Sequence, residues 1–240
     1  PTAKCNIACE GCYRDNEDQS HKSLEEGASE LDVFQKNRRS DCISIAGGDP
    51  LCHPRIVDIV RMIHGRGWKP ILNTNGSALN PSLLRELKKA GVFGFTFHVD
   101  STQTRPDAAE KGEGKLNSLR QKLADMVHAE GGIACAFNMT VSRDNLAQVP
   151  EVMSWGAANA DRVHTLVFIL FRSPRFSSDR FAFFAGGKPI PIGDTYRKTR
   201  WGGEEPLKAV DLIPYLEKAD PSYSPSAYLN GTHDAENPKW

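Results

Sequence analysis

Net charge is the first thing this chain lacks: thirty lysines and arginines stand against thirty aspartates and glutamates over 240 residues. Nothing in that balance argues for a nucleic-acid footprint or an anionic membrane surface. Long apolar runs are missing too. The longest, Val163 to Phe171, is interrupted by His164 and Thr165 and falls well short of the ~18–20 residues that cross a bilayer. It reads as a buried strand. No signal-peptide pattern is present; the chain starts at Pro1 without a Met, which reads as a cut with sequence missing upstream. Cysteines number only six, and a disulfide scaffold in a chain of this size is unusual. The expected setting is a reducing cytoplasm, where the three Asn-X-Ser/Thr matches at Asn75, Asn138 and Asn230 are accidental.

What is present begins at the cysteines. Cys5, Cys9 and Cys12 stand at spacings of four and three on one short loop. Three thiolates so placed can hold three corners of a cubane iron–sulfur cluster. Such clusters normally take four cysteines, so a three-cysteine loop leaves one iron open for chemistry. Two alternatives stay open on spacing alone. A structural zinc module needs four ligands, and the nearest extra candidates, His21, Cys42, Cys52 and His53, lie at no standard knuckle spacing. An electron-transfer protein would draw a fourth cluster ligand from elsewhere.

Beyond the loop, helix and strand signals alternate. A helix with a thin apolar face spans Leu24 to Lys36, and a strand runs from Cys42 to Ala46 into Gly47-Gly48-Asp49-Pro50. Ile56 to Ile63 recur at helical spacing, ended by Gly65 to Gly67. Strands at Pro70–Asn73, Val92–Val99, Ile133–Val141 and Val163–Phe171 alternate with helices opened by Asn80-Pro81, marked by Leu116 to Met126, and spanning Leu146 to Trp155. Five strands alternating with helices predict an α/β fold with a parallel sheet, open or closed into a barrel. A sixth strand is expected upstream of Cys5. From Arg172 onward Pro, Gly, Ser and aromatic residues dominate, with one helical stretch at Leu207 to Lys218. The domain reading is therefore a barrel over 1–171, its first strand largely missing upstream, and an irregular extension over 172–240 that could cover the barrel mouth or pack against a partner.

Alternation within the strands separates two faces. Phe93, Phe95, Phe97 and Val99 should meet the helices; Gly94, Thr96, His98 and Asp100 should face the lumen. Ile133 to Val141 divides likewise, with Ala134, Ala136, Asn138 and Thr140 on the lumen side. These faces are small at the bottom and polar at the C-terminal end, where barrel active sites lie. A roomy polar lumen implies a sizeable ligand. Cys42, Cys52 and Cys135 read as core thiols, and His21, His53, His64, His128, His164 and His233 as surface or structural residues.

The cysteine triplet, followed some 35 residues later by Gly47-Gly48-Asp49-Pro50, resembles the radical S-adenosylmethionine (SAM) superfamily. Asn73-Thr74-Asn75-Gly76 and His98-Val99-Asp100-Ser101 look like its usual third and fourth strand ends, and the resemblance covers residues 2 to 171. It implies a partial (β/α)6 TIM-like barrel, with Cys5, Cys9 and Cys12 ligating a [4Fe–4S] cluster whose open iron takes the amino and carboxylate groups of SAM. Gly47, Gly48 and Asp49 would hold the methionyl ammonium, the glycines letting backbone approach the ligand. His98 and Asp100 would reach the ribose or carboxylate, Asn138 would place the nucleoside, and Asn75 belongs to the same set. Where the family commonly has Glu, Asp49 offers a shorter arm; Gly11 replaces an aromatic, and Tyr13 would shield the cluster or adenine instead.

The implied reaction is reductive cleavage of SAM to a 5′-deoxyadenosyl radical that abstracts hydrogen from a substrate. A flavodoxin- or ferredoxin-like donor would supply the electron. No cysteine follows Cys135, so the tail carries no additional cysteine-ligated cluster within the residues present. Trp201-Gly202-Gly203 and Tyr223 to Tyr228 are candidates to line a substrate entrance.

Overall fold

The structure is a computed structural model and describes residues 1–10, 12, 17–108, 112–171, 182–189 and 207–224. Chain order runs β1 (Ala8–Cys9), α1 (Leu24–Asn37), β2 (Cys42–Ile45), α2 (Ile56–Gly65), β3 (Lys69–Thr74), α3 (Pro81–Lys89), β4 (Gly94–His98) and β5 (Gln103–Thr104). It continues with α4 (Asn117–Glu130), β6 (Ala134–Val141), α5 (Val149–Ala158), β7 (Thr165–Leu170), the hairpin β8–β9 (Phe184–Ala185, Lys188–Pro189) and α6 (Ala209–Ala219). Short 3-10 turns occupy Pro50–Cys52 and Leu146–Gln148. Among the described residues no helix is long and apolar enough to cross a membrane.

Local chemistry sets the helix boundaries. Ser23 and Glu26 form a reciprocal capping box at the start of α1. Asn80 accepts from the Ser82 and Leu83 amides ahead of Pro81 at the start of α3. The thin face expected of α1 is real: it buries none of its residues. By contrast α2 buries Ile56, Val60 and Ile63.

All five expected parallel strands are present, in the order β2-β3-β4-β6-β7. Neighbours in space are successive parallel strands in the chain, the progression of a barrel wall, so the fold is α/β with the wall left open. The core lies between sheet and helices, where Leu72, Phe95, Phe97 and Phe137 meet Val60, Leu84, Leu87, Leu123 and Val127. Phe95 and Phe97 stack at 5.3 Å, and Phe137 meets Trp155 edge-on. A second cluster joins Leu207, Leu212 and Leu216 to Met139, Val149 and Val152, so α6 packs on the outer side of the wall against α5.

Two expectations change. Phe93 does not join the helix-facing row: it precedes β4, is 42% exposed, and carries Lys69 over its ring. Nor is β7 a fully buried strand. It is an edge strand whose residues alternate, leaving Val167 and Ile169 about two-fifths exposed on the lumen side. Its apolar run reflects two environments, helix on one face and open lumen on the other.

Candidate functional site

The strand ends converge on the cysteine loop through backbone pairing. Ala8 and Cys9 form an antiparallel pair with Thr104 and Gln103, and the Glu10 amide donates to the Thr102 carbonyl at 2.8 Å. On the opposite flank the Gly48 and Asp49 amides donate to the Thr2 and Lys4 carbonyls, each at 2.8 Å. The loop is thereby fastened to the ends of β2 and β4.

This contact explains the glycine pair. A Cβ on Gly48 would lie 2.1 Å from the Lys4 carbonyl oxygen, and one on Gly47 would lie 2.6 Å from that of Thr2. Gly47 also has φ +146°, a conformation side chains disfavour. The close approach that requires glycine is made by the protein's own residues 2–4, and no ligand is needed to account for it.

Asp49 and Asp100 differ from expectation in a related way. The Asp49 carboxylate accepts from the Leu51 amide (2.9 Å), the Asn75 amide (2.7 Å) and the Thr74 hydroxyl (2.8 Å). Burial raises its carboxyl above the ordinary value although those donors favour the charge. Its side chain is engaged within the protein, and so is its backbone, whose amide donates to the Lys4 carbonyl and whose carbonyl accepts from the Cys52 amide at 2.9 Å. Asp100 is 1% exposed and accepts from His98 Nε2 (2.5 Å), the Thr140 amide (2.8 Å), and both the amide and hydroxyl of Thr102. Burial alone would raise its carboxyl, but the charge and hydrogen bond of His98, with Thr102 and Thr140, hold it far below the ordinary range. Asp100 is the counter-ion of His98, with no free arm for a ribose.

His98 is the group this arrangement presents. Burial would lower its pKa; the Asp100 charge and hydrogen bond outweigh that and raise it above the ordinary 6.5. The ring lines the pocket beside Asn138, its partner across β4 and β6. Asn138 Oδ1 is buried and has no hydrogen-bond partner among the described residues, an acceptor placed to take a hydrogen bond from a bound molecule.

Beneath Asp100 lies a network for which no periodicity gave a signal. Glu113 Oε1 accepts from the Ser101 amide and Asn145 Nδ2, both at 2.9 Å. Glu113 Oε2 pairs with Arg120 at 2.7 Å, both side chains fully buried, and Arg120 also donates to the Val99 carbonyl. The loop after β4 is therefore held from below by a charge pair donated by α4 and its approach.

All three cysteines line one pocket of about 590 Å³ together with Gly47, Gly48, Asp49, Asn75, His98, Thr140 and Asn138. Burial raises the Cys5 thiol, with the nearby Asp49 charge adding to it. Burial, then the charges of Asp100, Cys12 and Cys5, push Cys9 up to about 12. Metal binding must displace these protons. Among the described residues no three His, Cys, Asp or Glu side chains converge on a single ion, whereas a cubane spreads its thiolates over separate irons. The donor set and the unpartnered Asn138 oxygen suit a cluster with an adjoining nucleoside. Asn75 belongs to the pocket, but its amide is used within the protein: Nδ2 donates to Asn6 Oδ1 at 2.7 Å and lies 3.8 Å from Cys5 Sγ. Tyr13 and the segment 201–203 lie outside the described residues, as do residues 225–228.

The profile of the Radical SAM superfamily matches residues 1–156, and the chain belongs to that superfamily, whose enzymes use a [4Fe–4S] cluster and SAM. The tungsten-containing aldehyde ferredoxin oxidoreductase cofactor-modifying protein of Pyrococcus furiosus is 27% identical over 63% of this chain and 45% of its own length. The Fe-coproporphyrin III synthase of Methanosarcina barkeri is 23% identical over 63% of this chain and 38% of its own. The chain thus spans less than half the length of these relatives. Among solved structures, Streptococcus suis SuiB bound to S-adenosylmethionine superposes with a TM-score of 0.54 at 17% identity, over 74% of this chain and 40% of SuiB. A second, anSMEcpe with bound AdoMet, gives 0.55 at 14% identity, over 73% and 52%. These two show the fold.

Proposed function

We propose that this chain binds a [4Fe–4S] cluster and SAM in the pocket at the strand ends and uses them to abstract hydrogen from an organic substrate. The observation that carries the reading is the lining of that pocket: three thiols, a glycine-backed strand end, and the unpartnered Asn138 oxygen share it. When bound, the reduced cluster supplies one electron to the SAM sulfonium, breaking the C5′–S bond to give methionine and the radical that removes a hydrogen atom.

The chain's own residues bind and orient. Cys5, Cys9 and Cys12 are the cluster ligands. The backbone of Gly47, Gly48 and Asp49 receives the methionyl ammonium, with the Asp49 carboxylate bracing the turn. His98, as a donor held by Asp100, and Asn138, as an acceptor, meet the ribose and adenine. The lumen beside them is lined by Asn73 and Thr96 on one wall and Ile169 on another, so the substrate meets neutral polar groups and aliphatic surface. A flavodoxin- or ferredoxin-like protein is the electron donor in this reading, since the reaction draws on the low end of the cluster range.

The test is anaerobic reconstitution. Wild-type protein should take up about four irons per chain and release 5′-deoxyadenosine from SAM under strong reductant. Replacing Cys5, Cys9 and Cys12 by Ala should abolish both. Tight zinc binding by the full-length protein, with no SAM cleavage, would sink the proposal.

A further inference from the structure

Around the pocket a second arginine besides Arg120 is buried, out of keeping with its residue type. Arg105 has 2% of its side chain exposed, which is rare for arginine unless it is paired. Its fork is divided between two sides. Nε and Nη2 grip the Asp107 carboxylate at 3.0 and 2.9 Å. Nη1 turns inward and donates to the Asn75 carbonyl and to Gln103 Oε1, both at 2.9 Å.

Each inner acceptor leads to the cysteine loop. Asn75 reaches Asn6 and the Cys5 sulfur through its amide. Gln103 is the backbone partner of Cys9, and its Nε2 donates to the His98 carbonyl at 2.9 Å. One guanidinium therefore spans the ends of β3 and β4 and the small sheet that carries Cys9. The electrostatics point the same way. Cys5 lies near the buried Asp49 carboxylate and Cys9 near Asp100, whose counter-ion is His98, and the Arg105 charge acts on Asp49. Arg120 is committed to the equally buried Glu113. The partner of Arg105, Asp107, is one-third exposed, so water screens its charge more than that of the guanidinium.

We propose that Arg105 is a positioning residue for the cluster: its fork sets Cys5 relative to Cys9, and its buried charge stabilises the reduced state. The inference rests on the cysteines being cluster ligands. Charge and hydrogen bonding around the thiolates tune cluster potentials, and lysine keeps the charge of arginine without its fork. The two effects can thus be separated.

The experiment compares wild type, Arg105→Lys and Arg105→Gln in the full chain. It reads the cluster midpoint potential by EPR-monitored titration, and amide exchange at Ala8 and Glu10 in iron-free protein. Exchange at those amides should speed up at least about tenfold in both variants, the effect of losing a buried hydrogen bond, while β6 and β7 stay protected as in wild type. The potential should move to more negative values in Arg105→Gln and return close to wild type in Arg105→Lys. Asp107→Asn, which leaves the inner contacts in place, should exchange like wild type. Wild-type exchange in both Arg105 variants, or an unchanged potential in Arg105→Gln, overturns the proposal. So does exchange as fast in Asp107→Asn as in Arg105→Gln, or loss of β6 and β7 protection in both Arg105 variants. If wild type takes up no cluster, the proposed function falls, and the iron-free exchange still decides the positioning half.

Discussion

Gly48→Ala should dislodge the cysteine loop while sparing the sheet. The added Cβ would meet the Lys4 carbonyl oxygen at 2.1 Å and the Ala3 carbonyl oxygen at 2.5 Å. Both obstacles are backbone, so no side chain can swing aside; relief requires residues 2–4 to retreat by about 1.3 Å or more to reach ordinary contact. That movement breaks the Gly48–Thr2 and Asp49–Lys4 hydrogen bonds. Each is worth about 1 kcal/mol net, and more when a buried donor is stranded, so the local loss is about 2–4 kcal/mol. Cys5 follows Lys4 directly and moves with it. Iron content after anaerobic reconstitution should fall several-fold, with amide protection in β6 and β7 unchanged. Gly65→Ala is the control, since nothing lies within 4 Å of its Cβ position. Wild-type iron content in Gly48→Ala would refute the assignment of this glycine to backbone clearance.

Three further expectations concern the charges below the pocket. In Asp100→Asn, the histidine loses the carboxylate that raises it, and burial then takes its midpoint below 6.5, measurable by NMR titration; an unshifted midpoint would refute the pairing. In wild type, the raised His98 value contributes stability that is complete below 6.5 and lost as pH rises through the folded pKa. The lowered Asp100 value contributes above 3.8 and is lost as pH falls through its own. The stabilising effect of the pair, read by denaturant titration against Asp100→Asn, should therefore peak between these two limits. Arg120→Met strands Glu113 as an unpaired buried carboxylate and should cost about 3–5 kcal/mol by denaturant melts. Adding Glu113→Gln should recover part of that loss, and no recovery would mean that the cost is one of packing.

The two carboxylates show why sequence reading stops where it does. Alternation along β4 correctly put His98 on the lumen side, because strand periodicity is a property of the backbone. It could not show that Asp100, past the end of the strand, turns under His98 to meet the Thr102 and Thr140 amides. Those donors arrive from a loop and from β6, 40 residues away in the Thr140 case. Arg105, Gln103, Glu113 and Asn145 were missed for the same reason. Their partners are set by loop closure, and a buried arginine contradicts the composition rule on which core prediction depends.

By itself, the sequence determined the order of the main strands and helices, the parallel α/β wall, and the spacing of three cysteines on one loop. Each follows from spacing along a few neighbouring residues. Tertiary structure alone decided what the glycine pair makes room for, which carboxylates are braces and which groups face the ligand. Those outcomes depend on which backbone amides reach a side chain first, and such amides come from segments brought together only when the wall forms.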